Sequence, residues 1–303
     1  MRPQTKTLAG VLMLGALIAV VATGCGGGGK KASSTTTATT TSTGVDSKIA
    51  AEVPAKIKSK GTLTVATDPT YPPNESVGSD GKTIVGWDPE LGQALGNVMG
   101  VKWHFVTASF DTIIPGLQSG KYAIGMASFT DTKEREKVVD FVTYFTAGTS
   151  FYVSAQGGPT INGLADLCGH SVGVERGTTQ AADSTAQNKT CKSAGKSGVS
   201  VHVYPDQNAA NLAISSGRQE VGMADSPVAA YIVKKSSGRF KLSGHSYNNA
   251  PYGIAIPKGS GMTKPTLDAL KVLMANGTYT KLLAKWGVQP GAIKNPTING
   301  ATS

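Results

Sequence analysis

The chain has 303 residues, with 29 Lys and Arg against 19 Asp and Glu, and is 39% hydrophobic. That length and apolar share suit a folded protein, and the basic excess on its own would admit nucleic acid as a partner. The excess is dispersed, no Arg/Lys run interleaves with aromatics, and the His and Cys residues lack ligand spacing, so neither a nucleic-acid site nor a metal site is expected.

Arg2 and Lys6 accompany an apolar run from Leu8 to Val21. The run is short of the about 20 residues that span a bilayer and fits the core of a secretory signal. It ends in Ala22-Thr23-Gly24-Cys25, which resembles a bacterial lipobox. Small residues there suit a signal peptidase, and the thiol accepts a diacylglycerol. The expected order is a signal peptide at 1–24, lipid on Cys25 and a tether over 25–46. Residues 26–44 are only Gly, Lys, Ala, Ser and Thr, which bury no apolar surface. A plain signal peptide with an incidental cysteine is the alternative. Loss of Arg2 and Lys6 lowers the +10 charge by two, and a basic domain beside an anionic membrane is the quieter reading of the remainder. Cys168 and Cys191 are then left as a pair in an oxidising compartment, where a disulfide is expected.

About 255 residues follow, enough for two lobes with separate cores. A helix at 47–59 precedes the alternating strand 62–66 and the stiff loop Asp68-Pro69-Thr70-Tyr71-Pro72-Pro73. The next helix is capped by Asp88, has Pro89 in its first turn and stops at Gly100. Its Leu91, Ala94, Leu95, Val98 and Met99 share one face. Strand 101–106, a helix with Ile113, Ile114 and Leu117 inward, strand 122–126, a charged helix at 131–138 and an extended segment at 139–144 complete the first unit. The pattern restarts with strands 171–174, 199–204 and 221–224 alternating with helices 178–187, 207–215 and 227–235. Strand 252–256, amphipathic helices 267–275 and 278–286, and a loose tail at 288–303 follow. Such an order predicts an α/β fold, its sheets mostly parallel and flanked by helices.

The residues resemble the polar amino-acid family of bacterial solute-binding proteins. The resemblance is carried by Gly61 through Pro73, by Gly86-Trp87-Asp88-Pro89-Glu90-Leu91, and by Ser109-Phe110-Asp111 with Ile114-Pro115 and Leu117 through Tyr122. Thr132-Lys133-Glu134-Arg135 with Val139-Asp140-Phe141, Val172 through Thr179, Ala224-Asp225-Ser226-Pro227 and Tyr252-Gly253-Ile254-Ala255 follow in order. The resemblance implies a two-lobed periplasmic-binding-protein type II clamshell. Lobe 1 would comprise 47–147 and 250–290, lobe 2 would comprise 151–246, hinges would lie near 147–150 and 246–250, and 291–303 would be a tail. A ligand would sit between the lobes at the carboxyl ends of strands.

Binding a free amino acid requires a cation and an anion a few ångströms apart and shielded from water. On residue type alone Arg135 is a solvated charge in a charged run, but its place six residues before Phe141 matches the family's carboxylate-binding arginine. Asp225 reads as a helix cap ahead of Pro227, while the family match assigns it the α-ammonium. Thr178 and Thr179, at a helix start, read as caps or as part of an anion site. Ser128 and Thr130 end an apolar strand and would complete the polar set. Tyr71 and Phe110 match aromatics that sandwich the ligand side chain, and Asp68 matches an acid near its far end. Asn74 and Trp87 stand where relatives usually carry Phe. Adjacent strand residues point oppositely, so only one of Glu175 and Arg176 is expected to read the ligand. Glu175 would suit a basic or amide side chain and Arg176 an anionic one, and the former is the reading favoured.

The resemblance implies no catalysis and no cofactor. A monomer would close on its ligand and hand it to a membrane permease driven by a separate ATPase. The rival readings are an enzyme on the same fold, such as a cyclohexadienyl dehydratase, or a ligand-sensing domain. No Ser/His/Asp set is apparent among His104, His170, His202 and His245 to favour the former.

Overall fold

The computed structural model describes residues 44–302. The proposed signal peptide, Cys25 and the tether up to residue 43 lie outside them. Asp46, assigned to the tether on composition, instead caps the first helix through Lys48 N and Ile49 N and donates its own N–H to Val98 O.

The helix expected at 47–59 is two: α1 (Ser47–Glu52) and α2 (Ala55–Lys60), parted at Pro54. A helix-interior proline lacks the N–H for the ladder and crowds the preceding turn. Then come β1 (Thr62–Thr67), a small sheet of β2 (Thr70–Tyr71), β3 (Glu75–Val77) and β4 (Ile84–Val85), α3 (Trp87–Met99), β5 (Lys102–Thr107), α4 (Phe110–Gln118), β6 (Ile124–Gly125), the one-turn α5 (Lys133–Glu136) and β7 (Val139–Ser154). The second half holds β8 (Ser171–Glu175), α6 (Thr179–Ser193), β9 (Ser200–Tyr204), α7 (Gln207–Ser215), β10 (Val221–Asp225), α8 (Ser226–Lys235), β11 (Phe240–Pro257), α9 (Thr263–Ala275) and α10 (Thr278–Trp286).

The two lobes share one hydrogen-bonded sheet, ordered β5-β1-β6-β11-β7-β10-β8-β9. Its outer pairs are parallel, as the alternating pattern predicts, but its centre is antiparallel. The difference comes from β7 and β11, which run far longer than expected. They pair with each other through both lobes, and beyond that β11 pairs with β6 of lobe 1 and β7 with β10 of lobe 2. Their mutual register slips between Ser243 and Tyr247 and again between Tyr247 and Ala250, inside the expected hinge. Gly148 lies there because a Cβ would stand 2.4 Å from Ser246 Oγ and 2.7 Å from Tyr247 O.

Lobe 1 has its main core between α3, α9, α10 and the sheet, built on Trp87, Leu91, Leu95, Trp103 and Leu270. Lobe 2 packs Phe151, Val172, Val174, Cys191 and Met223 together. The expected disulfide joins Cys168 to Cys191 and so ties α6 to the turn before β8. The tail is not loose: residues 297–299 lie along β7, and 300–301 bond to Asp131 and Glu136.

Candidate functional site

A small cavity lies between the lobes. All ten residues singled out in the sequence line it: Asp68, Tyr71, Phe110, Ser128, Thr130, Arg135, Glu175, Thr178, Thr179 and Asp225. Glu75, Ala127 and Gln180 join them.

Lobe 1 supplies one wall from the carboxyl ends of β1 and β6. Asp68 follows the buried end of β1. Its Oδ1 accepts from Thr70 Oγ1 at 2.9 Å and its Oδ2 from Phe110 N at 2.9 Å. Burial raises its pKa above the usual carboxylate range, against the pull of those two donors. Ser128 follows β6 in a left-handed conformation, φ 52°. Its N–H donates to Asp88 Oδ2 at 3.2 Å and its hydroxyl accepts from Asn74 Nδ2 at 2.8 Å. Asp88 is therefore no helix cap: Gly86 holds that position, and the Asp88 carboxylate is fully buried, also accepting from Tyr144 OH at 2.7 Å. Asn74 likewise lies under the wall, clamped between Ser128 and Trp87 Nε1.

Arg135 projects from α5, whose N-cap Thr132 accepts Arg135 N–H. Its guanidinium sits 5.3 Å from the Phe110 ring and 5.4 Å from Phe129, rings that themselves stack at 4.5 Å. Such faces attract a cation. Nη1 donates to Thr130 O at 2.7 Å, and Nη2 reaches across to lobe 2, to Gly177 O at 2.9 Å. Burial lowers its pKa to about 10, so it stays charged at neutral pH.

Lobe 2 supplies the other wall. Asp225 ends the fully buried β10. Although it occupies the N-cap position of α8, its side chain makes no capping bond. It turns to the cavity, where Oδ1 accepts from Gln180 Nε2 at 2.7 Å and Oδ2 from Tyr252 OH at 2.7 Å. Burial pushes its pKa up to about 6, against those donors and Arg135. Thr178 caps α6, accepting from Ala181 N and donating to Glu175 O. Glu175, at the end of β8, is 4% exposed and its Oε1 makes no hydrogen bond among the described residues. Its carboxyl is held well above the usual range by burial and then by the negative charge of Asp68. Arg176 faces away, 3.8 Å from Asp111 Oδ2 at the surface, as strand alternation requires.

The lobes touch across the cavity. Besides the Arg135 contact, Asp225 N donates to Tyr71 OH at 2.8 Å and Gln207 N to Thr70 Oγ1 at 3.3 Å. A Cβ on Gly177 would stand 2.9 Å from Asp111 Cβ, so this close approach depends on glycine.

Residues 63–289 match the family of bacterial extracellular solute-binding proteins, family 3. The chain belongs to that family. It is 32% identical to the arginine-binding protein ArgT of Corynebacterium glutamicum, over 83% of each chain. It is 30% identical to the L-cystine-binding protein TcyJ of Escherichia coli, over 76% of this chain and 84% of the other. An ancestral arginine-binding protein bound to arginine shares its fold with a TM-score of 0.68 and 38% identity, over 75% of this chain and 98% of the other.

Two polar lining residues of this solute-binding protein escaped sequence reading. Glu75 pairs with Tyr71 across the β2–β3 hairpin, which carries it into the cavity, where burial and Asp88 push its carboxyl well above the usual range. The signal was the tight turn at Pro72-Pro73, which sets residues 71 and 75 opposite each other. Gln180 is 3% exposed and bridges Asp225 to Thr149 Oγ1. The signal was its place in the first turn of a helix whose cap already pointed to the site.

Proposed function

We propose that this chain is the binding component of an ABC importer and that its cavity takes an L-amino acid with a cationic side chain. The observation that carries the reading is the charge distribution of the lining. Arg135 is the one cation among the described lining residues, and Asp225 is within its electrostatic reach. Together they suit the α-carboxylate and α-ammonium of a zwitterion. Asp68 lies within reach of both Glu75 and Glu175, and these three buried acids suit a guanidinium or ammonium. Buried carboxyls crowded together stay protonated until a cation arrives to favour their charged forms. Tyr71 and Phe110 supply apolar surface to the stem of the side chain. Relatives named for arginine support the same reading.

Binding would begin on one lobe. The ligand would then favour closure, because its charges are satisfied only when both walls contribute. The hinge would lie where β7 and β11 lose register. The monomeric closed form would dock on a membrane permease powered by a separate ATPase. Lipid on Cys25 would hold the protein at the outer face of the membrane, a reading that rests on the apolar run and the small residues before the cysteine. Cys25→Ser should release the protein into the soluble fraction, and a variant still bound to membranes contradicts the anchor.

A calorimetric screen of the common amino acids, with ornithine and citrulline added, tests the ligand class. Arginine should bind tightest. Citrulline, its neutral near-isostere, should bind about a hundredfold more weakly, since it leaves buried acids without a cation. Tighter binding of an acidic or apolar amino acid overturns the assignment.

A further inference from the structure

The family match ends at residue 289, yet the residues beyond it reach the loop that carries Arg135. Thr143 N donates to Thr297 O at 2.9 Å and Asn299 N to Phe141 O at 3.0 Å, with Phe141 N returning a bond to Asn299 Oδ1 at 2.8 Å. Ile298 bridges Val142 in antiparallel fashion. β10 pairs with β7 only over Thr149–Val153, so this segment covers a stretch of β7 edge that β10 leaves open. It then turns onto the loop that carries Arg135. Gly300 N donates to Asp131 Oδ2 at 2.7 Å, and Ala301 N donates to Glu136 Oε1 at 3.0 Å.

Those two acceptors flank Arg135 on either side. The helix between them is a single turn, too short to hold its shape by its own hydrogen bonds. Of the guanidinium's two carbonyl contacts, the one to Gly177 belongs to the opposite lobe and is lost when the lobes part. The segment's contacts are all to lobe 1 and persist in either state. We infer that residues 297–301 are a strap that positions Arg135, holding its turn ready for the ligand carboxylate before the lobes close.

The strap's effect on binding rests on the proposed function; its effect on the turn does not. The test deletes residues 296–303. In the ligand-free protein, hydrogen exchange of the amides of 132–137 should speed up at least tenfold while β8 and β10 stay unchanged. Affinity for L-arginine should fall at least tenfold, and that for agmatine, which has no carboxylate, less than threefold. Unchanged exchange in the turn overturns the strap, and so does an equal loss for the two ligands, which a general loosening of the fold would produce. If the deleted chain does not fold, two point variants read the same quantities. Asn299→Ala removes the side-chain bonds to Phe141 N and to Asp140. Gly300→Val drives a Cβ against Thr297 Oγ1, 2.6 Å away, and Thr143 Cγ2, 2.8 Å away. An intact chain that binds neither ligand rejects the basic amino-acid reading, and the exchange measurement still decides whether the strap orders the turn.

Discussion

The two charged groups that face each other across the cavity are held in opposite ways. Asp225 ends a buried strand in the middle of the sheet, and donors from α6 and β11 fix both of its oxygens. Arg135 projects from a one-turn helix at the edge of lobe 1 and is steadied by two carbonyls, two aromatic faces and a segment distant in sequence. A sheet core places a carboxylate with little help from outside. A guanidinium on a long, flexible stem needs contacts drawn from several parts of the chain. The first arrangement should be robust to changes at the periphery, the second sensitive to them.

The largest effect expected is that of Arg135→Ala. It leaves the ligand carboxylate buried without a partner, which costs about 3 kcal/mol, or more than a hundredfold in affinity. Calorimetry with L-arginine checks it, and unchanged affinity removes Arg135 from the site.

Acidity separates the two groups. Arg135 stays charged throughout the working range, whereas Asp225 titrates near 6. Affinity should fall as pH drops through 6, by at least about tenfold at pH 5 relative to pH 8, because the lining acids that lose protons on binding add to the effect of Asp225 with the same sign. Stability of the ligand-free protein should move the other way. Asp225, with a folded value near 6, and Asp88, near 7, lie above the unfolded value of 3.8. The unfolded chain therefore releases these protons first, and stability declines as pH rises from about 4 to about 7. Titration calorimetry and thermal melts across that range check both signs, and an affinity flat from pH 8 to 5 contradicts the role given to Asp225.

The smallest effect on affinity is expected from reduction of the disulfide, which acts on the Asp225 side only at a distance. The Cys168–Cys191 bond ties down α6, whose first turn carries Gln180. Closing a loop of this length is worth about 3 kcal/mol in the chain-entropy model, so reduction should lower the melting temperature by about 6–10 °C. Two free thiols in the unreduced mature protein contradict the bond.

Much of this site was legible because its residues sit where strands end and helices begin, and those boundaries leave marks in sequence. Asp225 before Ser226-Pro227 and Thr178 after Gly177 are examples. Glu75 was hidden because it enters through a hairpin register rather than a strand end. The joined sheet was hidden for another reason. The segment after Tyr144 continues as strand through the hinge, keeping β11 as partner and gaining β10 beyond it, and apolar periodicity reports which face is buried without naming the neighbour. The strap left no mark at all. Thr297, Asn299 and Gly300 bury little apolar surface, and what holds them is main-chain pairing and two carboxylates.

The most direct test of the opposed pair compares three ligands on three proteins by competition calorimetry. L-Arginine carries both α-groups, agmatine lacks the carboxylate, and 5-guanidinopentanoic acid lacks the amine. Arg135→Ala should weaken arginine and the guanidino acid while leaving agmatine near its wild-type affinity. Asp225→Asn should weaken arginine and agmatine while sparing the guanidino acid. If each variant weakens all three ligands alike, the two residues do not divide the zwitterion between them, and the account of the cavity fails.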